Sequence, residues 1–336
     1  MDIKQAIGAI VDRVDLNGNE MRSVMQQIMT GDATPIQIGG FLAGLRTKGE
    51  TVSEIVAAAE VMRELATRIE VSKEHLVDTC GTGGDSSHSF NVSTACAFVV
   101  AAAGGRVAKH GNRSMSSKSG SADVLEALGV NLDIPPGRVA ACIEDINIGF
   151  LYAPSYHSAA RYAAAPRTEL GTRTLFNLLG PLTNPAGAPH QLLGVFANRW
   201  VEPLAKVLRA LGSKHVLVVH AEDGLDELSI AAPSHVAELR DGQVRTATFR
   251  PEDVGIERQS LDAIRVDGPE ESAAMIRGVF AGGQGAAADM VALNSGAALY
   301  AADVASSLVE GVALAREALA DGSAARKIEE LVNLTA

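Results

Sequence analysis

The chain has 336 residues, 47% of them hydrophobic, so a sizeable core is available and global disorder is excluded. Its 29 Lys and Arg stand against 40 Asp and Glu, a net charge of −11, which leaves no bulk basic footprint for nucleic acid. The length fits either one large α/β unit or two domains. Three cysteines, Cys80, Cys96 and Cys142, are too few and too far apart for a disulfide scaffold or a Cys-x-x-Cys zinc site, and a reducing, cytoplasmic setting is expected. Charged residues such as Lys4, Asp12 and Arg13 interrupt the first thirty positions, so no signal peptide is read there. The longest apolar run, Ala95 to Ala103, is nine residues against roughly 18 for a membrane span, and a soluble protein is expected.

From Ile3 to Leu65 the pattern is helical. Ile3, Ile7, Ile10, Val11 and Val14 recur at three- and four-residue spacing, as do Met21, Val24, Met25 and Ile28. Thr34 before Pro35 marks a helix start, Thr51-Val52-Ser53-Glu54 is a capping box, and about four helices are expected. Beyond Val71 short apolar strands alternate with helices. Leu76-Val77-Asp78 runs into a glycine loop, Ser93 to Ala103 is an Ala- and Val-rich helix, and Arg106 to Ala108 is a strand. A polar loop, Lys109 to Gly120, then leads into the helix Ser121 to Leu128. Tyr156 to Leu179 is again helical and is expected to fold back onto the N-terminal helices. Leu192 to Phe196, Val201 to Leu211 and Val216 to Val219 read as β-α-β. Val236 to Phe249 is a hairpin turning at Asp241-Gly242. Ala286 to Leu334 is two or three helices.

The fold class expected is α/β: a small all-helical domain plus a larger α/β domain with a central mixed sheet. The helical domain spans 1–70, joined by helices within 156–188, and the α/β domain spans 71–155 and 189–336.

Gly81-Thr82-Gly83-Gly84-Asp85 follows a strand and precedes a helix, which aims backbone N–H groups at a place where an anion could sit. Ser86 occupies the third-glycine position of a dinucleotide fingerprint and no Gly-Lys-Ser/Thr follows, so neither that motif nor a P-loop is matched. A simple tight turn is the alternative. Asn91, Ser93 and Thr94 could bind phosphate or merely cap the helix. Lys109-His110-Gly111-Asn112-Arg113, with Ser114 to Ser121, makes a second candidate anion cradle or a solvated loop. Two such loops favour a substrate with two separated phosphate groups. Asp226-Glu227 sits on a turn after the strand Val216 to Val219, where adjacent carboxylates can face one site and suit Mg²⁺, or form a surface turn.

These strings, in this order and spacing, together with Gly180-Pro181-Leu182-Thr183-Asn184-Pro185, Gly224-Leu225-Asp226-Glu227-Leu228-Ser229 and Leu293-Asn294-Ser295-Gly296, resemble the anthranilate phosphoribosyltransferase family across essentially the whole chain. The resemblance implies the fold shared with pyrimidine nucleoside phosphorylases, with the active site in the interdomain cleft. It implies transfer of 5-phosphoribosyl from phosphoribosyl pyrophosphate to the anthranilate amine, an early step towards tryptophan. Donor binding is implied for Gly81, Thr82, Gly83, Gly84, Asp85, Ser89, Asn91, Val92, Ser93, Thr94, Lys109, His110, Gly111, Asn112 and Ser121. Anthranilate contacts are implied for Gly81, His110, Asn112, His157 and Arg167, and Mg²⁺ ligation for Ser93, Asp226 and Glu227. Lys109 and the metal would stabilise the leaving group, no base being certain. A homodimer through the helical domain is implied, with neither nucleic acid nor membrane as a partner. The family often reads Val-Arg-Arg-Glu-Leu-Gly where this chain has Pro166-Arg167-Thr168-Glu169-Leu170-Gly171, so a second cationic contact is expected to be lost at Thr168. A nucleoside phosphorylase and a nucleic-acid-binding paralogue stand as rivals.

Overall fold

Four helices open the chain, α1 (Ile3–Val11), α2 (Gly18–Thr30), α3 (Pro35–Lys48) and α4 (Val52–Leu65), in a computed structural model that describes residues 1–84, 87–114 and 118–336. Each starts with a reciprocal capping box: Asp2 with Gln5, Asn17 with Glu20, Thr34 with Gln37 and Thr51 with Glu54. These side chains satisfy amides that have no partner within the helix, so the four boundaries are set locally. Met21, Val24, Met25 and Ile28 form the buried stripe of α2, as their spacing requires.

The α/β part then runs β1 (Leu76–Gly81), α5 (Val92–Ala102), β2 (Arg106–Gly111), α6 (Ser121–Ala127), α7 (Pro136–Ile146) and β3 (Ile148–Tyr152). Three short helices follow, α8 (Ala153–Tyr156), α9 (Arg161–Leu170) and α10 (Leu175–Leu179). The sheet resumes with β4 (His190–Gly194), α11 (Val201–Ala210), β5 (His215–Ala221), β6 (Ser234–Arg240) and β7 (Gln243–Phe249). The chain closes with α12 (Pro269–Phe280), α13 (Ala286–Ala301), α14 (Leu308–Ala320) and α15 (Ser323–Thr335). The β6–β7 turn is Asp241-Gly242, both at positive φ (51° and 73°), the twist that a two-residue hairpin needs.

The seven strands lie in the order β3-β2-β1-β4-β5-β6-β7, parallel through β5 and antiparallel beyond it. The molecule is a small helical domain plus a larger α/β domain built on this mixed sheet. The chain moves outward from β1 to β3, then returns to β4 and builds the other way. The strand order therefore switches between β1 and β4, and the crevice at their C-terminal ends is where such sheets bind ligands.

One core lies on the sheet face covered by α5, α12, α13, α14 and α15, with Phe98, Val99, Val100, Leu293 and Leu299 fully buried. The other joins the opposite face and α11 to the N-terminal helices, and Ala163, Leu175, Phe176, Leu178 and Leu179 of α9 and α10 pack into it beside Phe41 and Leu42. Helices α9 and α10 thus contact α2, α3 and α4 although more than a hundred residues separate them in sequence. No helix among the described residues is long and apolar enough to cross a membrane.

Candidate active site

The loop after β1 is pinned from below. Thr82 donates its amide to the Gly194 carbonyl at 2.9 Å, and the Phe196 amide donates to Thr82 Oγ1 at 2.9 Å. Gly83 and Gly84 sit at φ 67° and 76°, which turns the chain back over the strand ends. The Gly83 amide donates to Asp226 Oδ2 at 2.9 Å, so the glycine loop and the acidic turn are one structure. Their approach leaves no room for side chains. A Cβ on Gly81 would lie 2.7 Å from Asp226 Oδ2, and one on Gly194 would lie 1.5 Å from the Asp226 carbonyl. Asp85, expected to hold the donor, lies outside the described residues.

The acidic turn is held from behind by the buried Asn294, which accepts from the Leu228 amide at 2.9 Å and donates to the Leu228 carbonyl at 2.9 Å. This gives the late Leu293-Asn294-Ser295 string a physical role. Glu227 is close enough to Lys109 and Cys96 to act on both through charge.

At the start of α5 the expected residues divide. Asn91 makes no capping hydrogen bond; its Oδ1 accepts from Ser119 Oγ at 2.7 Å and Ser272 Oγ at 2.8 Å, tying this corner to the second loop and to α12. The first turn of α5 therefore has no side-chain cap, an arrangement open to an anion. Ser93 Oγ accepts from Lys109 Nζ at 3.2 Å. Val92 is packed in the core and can offer only backbone, while Thr94 is fully buried with its hydroxyl unpartnered. Ser89 pairs with Arg265 in an isolated bridge, and its hydroxyl meets Ser87 Oγ at 3.1 Å.

Lys109 is 3% exposed, with Nζ also donating to the Thr79 carbonyl. Burial lowers its pKa, opposed by the charges of Asp78 and Glu227. Its neighbour His110 faces His157, ring centroids 5.1 Å apart. Burial pushes His110 down to about 3 and His157 down to about 4. The carbonyls of Gly180 and Thr183 oppose these shifts without good hydrogen-bond geometry, leaving His110 Nε2 and both His157 nitrogens unpartnered. A Cβ on Gly111 would lie 2.1 Å from Ser121 Oγ, which itself donates to the Asn112 carbonyl at 3.3 Å. Asn112 is exposed and accepts from the Arg113 amide through Oδ1.

The second cradle is less cationic than its sequence suggests. Arg113 is held by both oxygens of Glu126 and by Asp123, and Lys118 is paired with Asp267. Their charge is spent on structural partners, and Lys109 is the cation of this loop that faces inward.

On the helical side, the Arg167 guanidinium lies 5.2 Å from the centre of the Phe176 ring, and burial alone lowers its pKa. It makes no hydrogen bond or ion pair with the described residues. Thr168 is exposed with its hydroxyl on the Ala164 carbonyl at 3.1 Å, so a cation there would stand on the solvent face of α9, not beside Arg167. Three residues that sequence reasoning did not place also border the cleft. Arg173 donates to the Gly84 carbonyl and covers Phe196 at 4.3 Å. Asp78 and Asn184 lie beneath Lys109 and His110; an acid inside an apolar strand and an Asn-Pro turn were the available signals.

A family model for a glycosyl transferase helical bundle domain matches residues 4–66, and one for a glycosyl transferase a/b domain matches residues 73–325. An anthranilate phosphoribosyltransferase of Thioalkalivibrio sulfidiphilus is 65% identical, covering 100% of this chain and 99% of its own length. The chain belongs to the anthranilate phosphoribosyltransferase family. The enzyme of that name from Alkalilimnicola ehrlichii is 60% identical over 100% of this chain and 99% of its own. The crystal structure of anthranilate phosphoribosyltransferase from Thermus thermophilus superposes with a TM-score of 0.93 at 46% identity, covering 98% of this chain and 99% of that one. The Saccharomyces cerevisiae enzyme in complex with PRPP and Mg shares the fold, with a TM-score of 0.89 at 24% identity over 99% of this chain and 97% of that one. Family membership decides the activity in favour of the phosphoribosyltransferase over the nucleoside phosphorylase.

Two outcomes follow from this geometry. Gly194→Ala drives a methyl group into the Asp226 backbone and lowers stability by about 2 kcal/mol or more, whereas Gly180→Ala, with no atom near its Cβ, stays within about 0.5 kcal/mol, both read by urea unfolding. The unfolded chain protonates histidine near 6.5, while the folded state keeps His157 neutral down to about 4. The unfolded state therefore binds the extra proton first, and stability is lost as pH falls below 6.5 but is unaffected above it. His157→Gln reduces the stability lost between pH 7 and pH 4.5 by about 2 kcal/mol, measured as the change in unfolding midpoint.

Proposed function

We propose that the cleft at the β1–β4 switch holds phosphoribosyl pyrophosphate against the glycine loop and the start of α5, and anthranilate against His110, His157 and Arg167. The chain transfers 5-phosphoribosyl to the anthranilate amine, giving N-(5-phosphoribosyl)anthranilate and releasing pyrophosphate. The observation that carries the reading is the contact of Asp226 Oδ2 with the Gly83 amide, with Lys109 Nζ on Ser93 Oγ beside it. It puts two carboxylates, a hydroxyl and a buried cation at one strand-end crevice.

The donor set fits Mg²⁺. Asp226, Glu227 and Ser93 offer hard oxygens, and among the described residues no group of three or more His, Cys, Asp or Glu could hold a metal alone. That suits an ion that takes one or two carboxylates and completes its shell with water and substrate phosphate. When bound, the ion neutralises charge on the departing pyrophosphate. Lys109 and the loop amides do the same from fixed positions, at the stage where the C1–O bond breaks. The amine of anthranilate attacks as the neutral base, so no strong general base is required. His110 and His157, kept neutral by burial, offer unpaired ring nitrogens to hydrogen-bond the acceptor and hold it in line. Arg167, without a protein carboxylate, pairs with the acceptor's carboxylate by two parallel hydrogen bonds.

With a helical body of 1–70 joined by helices of 156–188, and an α/β body of 71–155 and 189–336, the proposed reacting centre lies in the cleft between the two, from which closure would exclude water. The contact of Arg173 with Gly84 supports a link between the two sides. A homodimer formed through the helical domain is supported by the exposed apolar residues Val11, Val14 and Ile36 on that domain. A cytoplasmic location accords with three free, buried cysteines. Asp85, Ser89, Asn91, Val92, Thr94, Gly111, Asn112 and Ser121 complete the proposed donor site, Val92 through its backbone.

Steady-state kinetics test the assignment. Arg167→Ala raises KM for anthranilate about tenfold or more and leaves KM for the phosphoribosyl donor within about twofold. Equal effects on both substrates would make Arg167 structural. Asp226→Asn combined with Glu227→Gln lowers kcat at least about a hundredfold at limiting Mg²⁺, with unfolding midpoint nearly unchanged. Undiminished turnover would remove the metal from this turn.

A further inference from the structure

The ladder between β1 and β2 is unusually short for its place in the sheet. It pairs only Leu76 with Arg106 and Val77 with Val107, whereas β1–β4 and β2–β3 each pair five positions. Both strands continue beyond the break, to Gly81 and Gly111. Buried backbone groups there still need partners.

Side chains supply them. The His110 amide donates to Asp78 Oδ1 at 3.1 Å. The Ala108 carbonyl accepts from Asn184 Nδ2 at 2.8 Å. The Thr79 carbonyl accepts from Lys109 Nζ. In a parallel ladder, alternate residues of β2 point their amide and carbonyl groups at β1, and Ala108 and His110 are the next two such residues after Arg106, whose amide bonds to the His75 carbonyl. Three of the groups that a continued ladder would pair, the Ala108 carbonyl, the Thr79 carbonyl and the His110 amide, are thus taken by Asn184, Lys109 and Asp78.

Asp78 and Asn184 also complete each other. Asn184 Nδ2 donates to Asp78 Oδ2 at 2.8 Å, and Asn184 Oδ1 accepts from the Ala186 amide at 2.8 Å, which fixes the orientation of the amide group. Asp78 is 1% exposed. A buried carboxylate is costly unless it is paired and hydrogen-bonded, and this one has both the two donors and the Lys109 charge nearby.

We infer that Asp78 and Asn184 form a polar wedge that ends the β1–β2 ladder early and so sets where Lys109 and His110 stand in the cleft. They are positioning residues for the transfer, acting on the C-terminal end of β2 and touching no substrate themselves. The role rests on the reading of the cleft under Proposed function. The wedge acts on β2, whereas the acidic turn is fixed to β1, β4 and Asn294. Disturbing it therefore moves Lys109 and His110 and leaves Asp226 and Glu227 in place.

The test is Asn184→Ala, at a partly buried residue, with Asp78→Asn as a second variant. Two readouts are taken on each folded protein. Amide hydrogen exchange in 106–111 rises about tenfold while exchange in 215–221 is unchanged. In the transfer assay kcat falls about tenfold and KM for anthranilate rises about fivefold, with the Mg²⁺ concentration for half-maximal rate within about twofold of the parent. Unchanged exchange in 106–111 overturns the wedge whether or not the parent transfers phosphoribosyl, because that readout needs no substrate. Faster exchange with kcat and both KM values unchanged makes the pair merely structural and overturns its positioning role. An inactive parent with the exchange pattern as expected counts against the reaction assigned to the cleft, not against the wedge.

Discussion

Everything at the cleft depends on how closely the Asp226 turn lies against the ends of β1 and β4. Only glycine at 81 and 194 permits that approach, since a methyl group at either place would meet Asp226 itself. The contact has a chemical result. It brings two carboxylates beside the glycine loop, one of whose amides donates to Asp226, and a diphosphate placed there would be repelled by the two carboxylates unless a cation is shared between them. Asn294, from α13, holds the turn in that place. In the proposed cleft this acidic pair is where a cation and a diphosphate would be held together.

The distribution of charge follows the same logic. The molecule is acidic overall, and its surface arginines and lysines near the cleft are largely committed, as Arg113 is to Glu126 and Lys118 to Asp267. Two cations are arranged differently. Lys109 is buried on backbone and hydroxyl oxygens, and Arg167 rests over an aromatic ring with no ion-pair partner among the described residues. In the proposed cleft one serves the donor and the other the acceptor. The two histidines are kept neutral by burial, so in the proposed cleft Arg167 is the charge left to meet the acceptor's carboxylate.

Much of this was legible in the residues because it is local. Capping pairs three residues apart set the helix starts, Asp241-Gly242 set the hairpin, and the glycine loop and Asp226-Glu227 are contiguous strings. What was not legible depends on partners far away in sequence. Asn91 looked like a helix cap, but its oxygen is engaged by Ser272 of α12 and by Ser119. Arg113 looked like an anion ligand until the fold brought α6 acids to it. The stretch from Pro136 to Tyr152, a helix and an edge strand, and the helix Pro269–Phe280 escaped assignment, and β4 begins at the polar His190, ahead of its apolar core. Asp78 and Asn184 were visible only as an acid in a strand and an Asn-Pro turn; their shared work on β2 exists only once the sheet is assembled.

The most direct measurement is anthranilate fluorescence, followed on mixing the folded protein with phosphoribosyl pyrophosphate, first with Mg²⁺ and then with excess EDTA. Decay of the signal with Mg²⁺ that stops on chelation is the expected result. A steady signal with fresh donor, Mg²⁺ and folded protein would contradict a cleft built to transfer phosphoribosyl to this amine.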